Sequence, residues 1–279
     1  MQQVTRKKLA AGVNLTCVTT PKFKRAVLRA VLLLPLGGPD AALRACLPHV
    51  LRRGTKRLPD LRVIGAELDE LYGARIEAVV RKEGEHLAVG FLSDCIDESC
   101  TPGANGLTAG VIRLLAELLC DPYTQEGVFC PDYTAGEREN LIDRIAAQKN
   151  DPRTWAPLRL TQLMCAEEAY GQPVYGTKEQ AEKITEKKLY AAYRRALEEA
   201  QLELFYCGPL APEAVEGMFA QTPLAQARTG AGTLTETCVL AQPKGAAREI
   251  IEEEAVTQGK LSLGFRTGGA SLTGGDAAA

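Results

Sequence analysis

Apolar and polar residues alternate from position 12 to 19 (G-V-N-L-T-C-V-T), and a denser apolar run follows from 25 to 34. A period of two turns successive side chains to opposite faces, so both runs read as strands. They form a hairpin-like pair across Lys22-Phe23-Lys24, the second strand being more deeply buried. Pro35, Gly37, Gly38 and Pro39 break the pattern. Beyond them Leu43, Cys46, Leu47, Val50 and Leu51 recur at helical spacing, with Asp40 placed to cap. Pro59-Asp60 opens a second helix carrying Leu61, Ile64, Leu68 and Leu71 on one side, and Gly73 closes it. Residues 74–80 and 86–92 alternate again and make a second strand pair through Lys82-Glu83-Gly84-Glu85.

The second half turns helical. Leu107, Val111, Leu114, Leu115 and Leu118 predict a helix over 107–119, and further helices are expected over 136–149, 152–169, 178–200 and 212–219. Residues 120–134, rich in Pro, Gly and aromatics, read as an irregular excursion, and 201–207 as a returning strand. From about 226 to 245 the Gly, Thr and Ala content marks a linker. A strand pattern at 255–265 then begins what reads as a second domain over 246–279, most of which the chain lacks, as a fragment of a longer protein would.

Composition narrows the function classes. The 279 residues carry 33 basic and 35 acidic side chains, a net charge of −2, which provides no electrostatic reason to bind nucleic acid or an anionic membrane. The longest uncharged apolar run, 30–39, is about half what a spanning helix requires. No secretion signal is read at the N-terminus, so a cytoplasmic location is expected. The nine cysteines are scattered singly, without a C-x-x-C pair, and read as reduced, mostly buried thiols, with a Cys95–Cys100 disulfide as the alternative.

The candidate chemistry lies at Ala45-Cys46-Leu47-Pro48-His49, ahead of Gly54-Thr55. An inverted zinc motif, H-x-x-E-H, sets two imidazoles four apart on one helix face with a glutamate as general base. Here those positions hold Ala45, Pro48 and His49. The succession of strand, strand, helix with Gly54-Thr55, helix ending Leu71-Tyr72-Gly73-Ala74, two strands, Glu137-Arg138 opening a helix to Asn150-Asp151-Pro152, Tyr170-Gly171 to Tyr175-Gly176, and 185–193 leading into strand 202–207 resembles the insulinase or pitrilysin family of zinc peptidases. The resemblance covers residues 1 to about 225. It implies an α+β domain, a mostly antiparallel sheet covered by helices on one face, with two such domains per polypeptide. It also implies that Ala45 stands for the first histidine ligand, Pro48 for the base, His49 for the second histidine, and Arg144 for the distal glutamate seven residues beyond Glu137. A shifted register brings Glu137 or Glu139 towards His49 instead.

Catalytic zinc needs about three protein ligands and a water. His49 alone supplies one, Arg144 adds a fixed positive charge, and Pro48 can neither take a proton nor donate a backbone hydrogen bond. Three functions follow. The first is a non-catalytic homologue that works as the peptide-binding partner of an active insulinase-family paralogue, with no cofactor. A bacterial branch of the family with a similarly degraded first domain is associated with modification of elongation factor P, and the chain resembles it. The second is a zinc metalloendopeptidase with an unusual ligand set such as His49, Glu137 and Cys46. The third is a structural assembly subunit. Plainer readings stand beside these: His49 as a packed imidazole, His86 as a surface residue, Cys46 and His49 as an incidental C-x-x-H spacing, residues 137–139 as a charged first helical turn, and 252–254 as a solvated acidic run.

Overall fold

The strand signals assemble into one six-stranded sheet in a computed structural model, which describes residues 3–101, 103–228, 248–253 and 258–265. In chain order the elements are β1 (Gln3–Ala10), β2 (Val13–Thr19), β3 (Arg25–Pro35), α1 (Ala41–Leu51), α2 (Leu61–Glu70), β4 (Arg75–Glu83), β5 (His86–Ile96) and α3 (Leu107–Cys120). After these come β6 (Thr124–Gln125), β7 (Val128–Phe129), α4 (Pro131–Ala147), α5 (Pro152–Met164), α6 (Lys178–Glu182), α7 (Glu186–Glu199), β8 (Gln201–Gly208) and α8 (Pro212–Ala220). The sheet order is β1-β2-β8-β3-β5-β4, antiparallel throughout except where β2 runs parallel to β8.

The pair expected from 12–19 and 25–34 is therefore not a hairpin. β8 lies between β2 and β3, setting Leu204 beside both Leu15 and Ala30. The reason is burial: Leu202, Leu204 and Tyr206 form an unbroken apolar row that is fully covered only in the middle of the sheet. β2 instead takes β1 as its hairpin partner, a strand the apolar pattern did not predict. Arg6, Lys7 and Lys8 on β1 suit an edge, where charge discourages pairing with a further chain.

One sheet face carries the core. Leu28, Ala30 and Leu32 of β3, Leu87, Val89 and Phe91 of β5 and the β8 row are all buried, and α1, α3 and α7 pack onto β3 and β5. The opposite face holds cross-strand ion pairs, Arg25 with Asp94, Arg29 with Glu83, and Arg6 with Glu203 at 3.2 Å. The chain thus has an α+β architecture, a mostly antiparallel sheet with its helices on one side.

Caps set the helix boundaries. The Asp60 carboxylate accepts from the Arg62 and Val63 amides and starts α2, whereas Asp40 makes no cap on α1 and faces Arg195 at 3.4 Å. The single helix expected over 178–200 is two, because Thr177 forms a capping box with Gln180 and Thr185 caps afresh, accepting from the Lys188 amide. The 120–134 excursion contains the β6–β7 hairpin, and α4 begins at Pro131, so Glu137 sits inside the helix rather than in its first turn. His86, expected at the surface, is half-buried with its Nε2 enclosed. Cys95 and Cys100 are both free. Residues 229–247, the greater part of the expected linker, 254–257 and 266–279 lie outside the described residues, and 258–265 enter no strand pairing among the described ones.

Gly54-Thr55 ties the end of α1 to the turn before α2. A Cβ at Gly54 would meet the Pro59 carbonyl oxygen at 2.4 Å, so only glycine fits. Buried Thr55 donates its amide to Leu58 O at 2.7 Å and accepts the Leu58 amide on Oγ1 at 3.0 Å. A β-bridge from Thr55 to Pro122 fastens the turn to the segment after α3.

Candidate functional site

Helix α1 packs against α4, and the candidate positions meet at that contact. On α1, Ala45, Cys46 and Pro48 are buried, with Ala45 and Cys46 facing the core and His49 half-exposed one position further on. The helix continues from Ala41 to Leu51 through Pro48, which cannot donate the backbone hydrogen bond that a residue at that place would normally give.

From α4, Arg144 reaches His49: its Nη1 lies 2.5 Å from His49 Nε2. Burial lowers the His49 pKa to about 4, and the Arg144 and Arg52 charges push it the same way. The imidazole is therefore neutral at physiological pH, and Nε2 is the acceptor because a guanidinium only donates. The remaining side of Arg144 stacks over Tyr175, with Cζ 5.6 Å from the ring centroid.

The other donors are also engaged or inert. Glu137 is buried and accepts from Arg53 at 3.3 Å and from Asn140 at 3.2 Å. Glu139 is exposed on α4. Burial raises the Cys46 thiol to about 12, with Glu137 adding to the rise, so no thiolate is available there. Zinc does not fit this donor set: the one imidazole nitrogen in reach already holds a permanent cation, the thiol keeps its proton, and the carboxylate is bound to Arg53. Cys46, His49 and Glu137 are not gathered into a ligand cluster, and no group of three or more His, Cys, Asp or Glu converges among the described residues.

Sequence reasoning did not find three features of the site. Tyr175 entered only as a landmark of the resemblance, yet it supports Arg144. Arg53, which holds Glu137 and stacks 5.1 Å over the Tyr133 ring, lies in the charged Arg52-Arg53 pair just before Gly54. A cavity of about 270 Å³ opens beside Tyr175, between β4 and α5. Only the adjacency of opposite charges 84 residues apart could have signalled the Arg53–Glu137 pair, and a single chain carries no record of it.

No family model matches the chain. Over 261 residues, 94% of the chain, it is 34% identical to the probable inactive metalloprotease YmfF of Bacillus subtilis (strain 168). A conserved protein of Enterococcus faecalis V583 matches 81% of the chain at TM-score 0.74 and 24% identity. An M16 peptidase inactive domain from Pseudomonas fluorescens matches 88% at TM-score 0.66 and 19% identity. The fold is that of M16 peptidase domains. The Bacillus relative is described as inactive, and the two structures share the fold. The chain spans 61% of the Bacillus relative and 53% and 55% of the two structures. Among the described residues no helix is long and apolar enough to cross a membrane.

Proposed function

We propose that the chain is a non-catalytic insulinase-family homologue that binds an extended peptide in the cytoplasm and works as the partner of an active, zinc-bearing relative. The observation that carries this reading is the Arg144–His49 contact. The guanidinium engages the His49 nitrogen through which that ring would otherwise bind a dication.

Peptide binding without a metal needs backbone groups, and the sheet offers them. β4 is an edge strand: β5 pairs one side, and no strand pairs the other among the described residues. An extended segment can add to such an edge through main-chain hydrogen bonds, with side-chain pockets supplying selectivity. The buried thiols of Cys17, Cys46, Cys95 and Cys130 support a reducing compartment.

The test is co-purification and turnover. The chain is expressed with and without an intact H-x-x-E-H relative from the same genome, and cleavage of an unfolded peptide is followed. The proposal expects no cleavage by the chain alone, a stable complex with the relative, and cleavage by that complex which survives His49→Ala. Chelator-sensitive cleavage by the chain alone that His49→Ala abolishes would overturn it.

A further inference from the structure

The 270 Å³ cavity beside the candidate site has a one-sided charge. Val80, Arg81 and Lys82 of edge strand β4 form one wall, Gln148, one turn beyond Arg144, and helix α5 another, and Tyr170 and Tyr175 stand in the rest of the lining; no lining side chain is acidic. Two cations, Lys82 in the lining and Arg144 against the lining ring of Tyr175, have no anionic partner among the described residues. Arg144 touches only neutral groups, the His49 imidazole and the Tyr175 ring, and no described carboxylate comes within ion-pair distance of it. Lys82 donates to the Tyr170 carbonyl and sits 4.9 Å over the Tyr170 ring, again without a described carboxylate partner. Arg81 differs, since Glu83 holds it at 2.7 Å.

Many arginines elsewhere are matched. Arg53, Arg57, Arg113, Arg25 and Arg29 each meet a carboxylate. A half-buried cation without a counter-charge keeps part of its desolvation cost, and a ligand that supplies the anion recovers it. Both Arg144 and Lys82 also hold their side chains against aromatic rings, so little rotamer freedom remains to be lost on binding.

We propose that this cavity binds the carboxylate of an Asp or Glu side chain within an extended peptide laid along β4, with Arg144 and Lys82 as its cationic contacts. The inference rests on the peptide-binding reading above and adds the class of peptide. An internal side chain is favoured over a chain terminus because the cavity opens beside residues 80–82, before β4 ends at Glu83, so a paired peptide continues on both sides.

The test uses the 279-residue chain and fluorescein-labelled ten-residue peptides of Thr and Val, acetylated and amidated, with a central Glu or a central Gln. A third probe is the Gln peptide with a free C-terminal carboxylate. Fluorescence anisotropy should show the Glu peptide binding about tenfold tighter than the Gln peptide, the scale of one charge-assisted hydrogen bond. The gap should narrow as salt is raised, vanish in Arg144→Met, shrink in Lys82→Met, and return in part in Arg144→Lys. Equal binding of the Glu and Gln peptides overturns the acidic-peptide assignment and leaves peptide binding standing. Tightest binding by the free-terminus peptide overturns the internal side chain. Binding of none of the three removes the inference together with the peptide-binding reading.

Discussion

Arg144 Nη1 on α4 and His49 Nε2 on α1, 95 positions apart in sequence, face each other across the helix contact, and the imidazole is the acceptor. A charged histidine at that place would meet a second cation with little water to screen it. The fold therefore favours the neutral ring, and this has a measurable consequence in pH.

Folded His49 titrates at about 4, whereas an unfolded histidine titrates near 6.5. Between those values the unfolded chain holds a proton that the folded chain does not, so stability rises with pH across the window and is lost on acidification through it. The loss contributed by His49 is on the order of 1–3 kcal/mol. Urea midpoints at pH 7 and pH 4.5 should differ more in the natural chain than in His49→Gln, which removes the titrating group.

Arg144→Met separates the two main causes of the His49 shift. Burial is the larger one and remains, while the neighbouring charge goes. The His49 Cε1 proton, followed by NMR, should titrate higher than in the natural chain and still below the ordinary histidine value. A return to about 6.5 would show that charge rather than burial sets the value.

Much of this architecture was legible because it is local. The β4–β5 hairpin follows from alternation on both sides of Gly84, α2 from Asp60 and Gly73, and α3 from its 3.6-residue apolar spacing. The insertion of β8 between β2 and β3 was not legible, since a strand returning after more than 160 residues leaves no local mark of its neighbours. β1 escaped notice because an edge strand buries little and its Arg6-Lys7-Lys8 run reads as a polar tail. At the site, Ala45 and Pro48 stand out only when the sequence is set against the H-x-x-E-H motif of the family it resembles. The partners of Arg144 and Glu137 were not legible, because each contact joins elements distant in sequence.

Two glycines should respond in opposite directions. In Gly54→Ala the new Cβ meets the Pro59 carbonyl oxygen at 2.4 Å, a backbone atom that cannot step aside cheaply. The substitution should cost about 1–3 kcal/mol, a fall of roughly 2–4 °C in Tm per kcal/mol for a domain of this size. Gly65→Ala, inside α2 with nothing within 4 Å of the added carbon, should instead stabilise by about 0.5–1 kcal/mol. Calorimetry on the two variants checks both signs.

The positional assignment of the site can be tested by rebuilding it. Ala45→His, Pro48→Glu and Arg144→Glu together should create a zinc site with His49, at some cost in stability because Ala45 is fully buried and histidine overpacks it. The pair Ala45→His and Pro48→Glu with Arg144 retained should bind far less zinc, since the guanidinium stays at the site. Equal zinc uptake by both variants, read by isothermal titration calorimetry, would mean that Arg144 lies away from the metal position.

The most direct measurement is the metal content of the natural chain, by elemental mass spectrometry after dialysis against a weak chelator, paired with a cleavage assay on an unfolded peptide. The Arg144–His49 contact predicts zinc far below one ion per chain and no cleavage above background. One zinc per chain that survives the dialysis, together with chelator-sensitive cleavage, would contradict it.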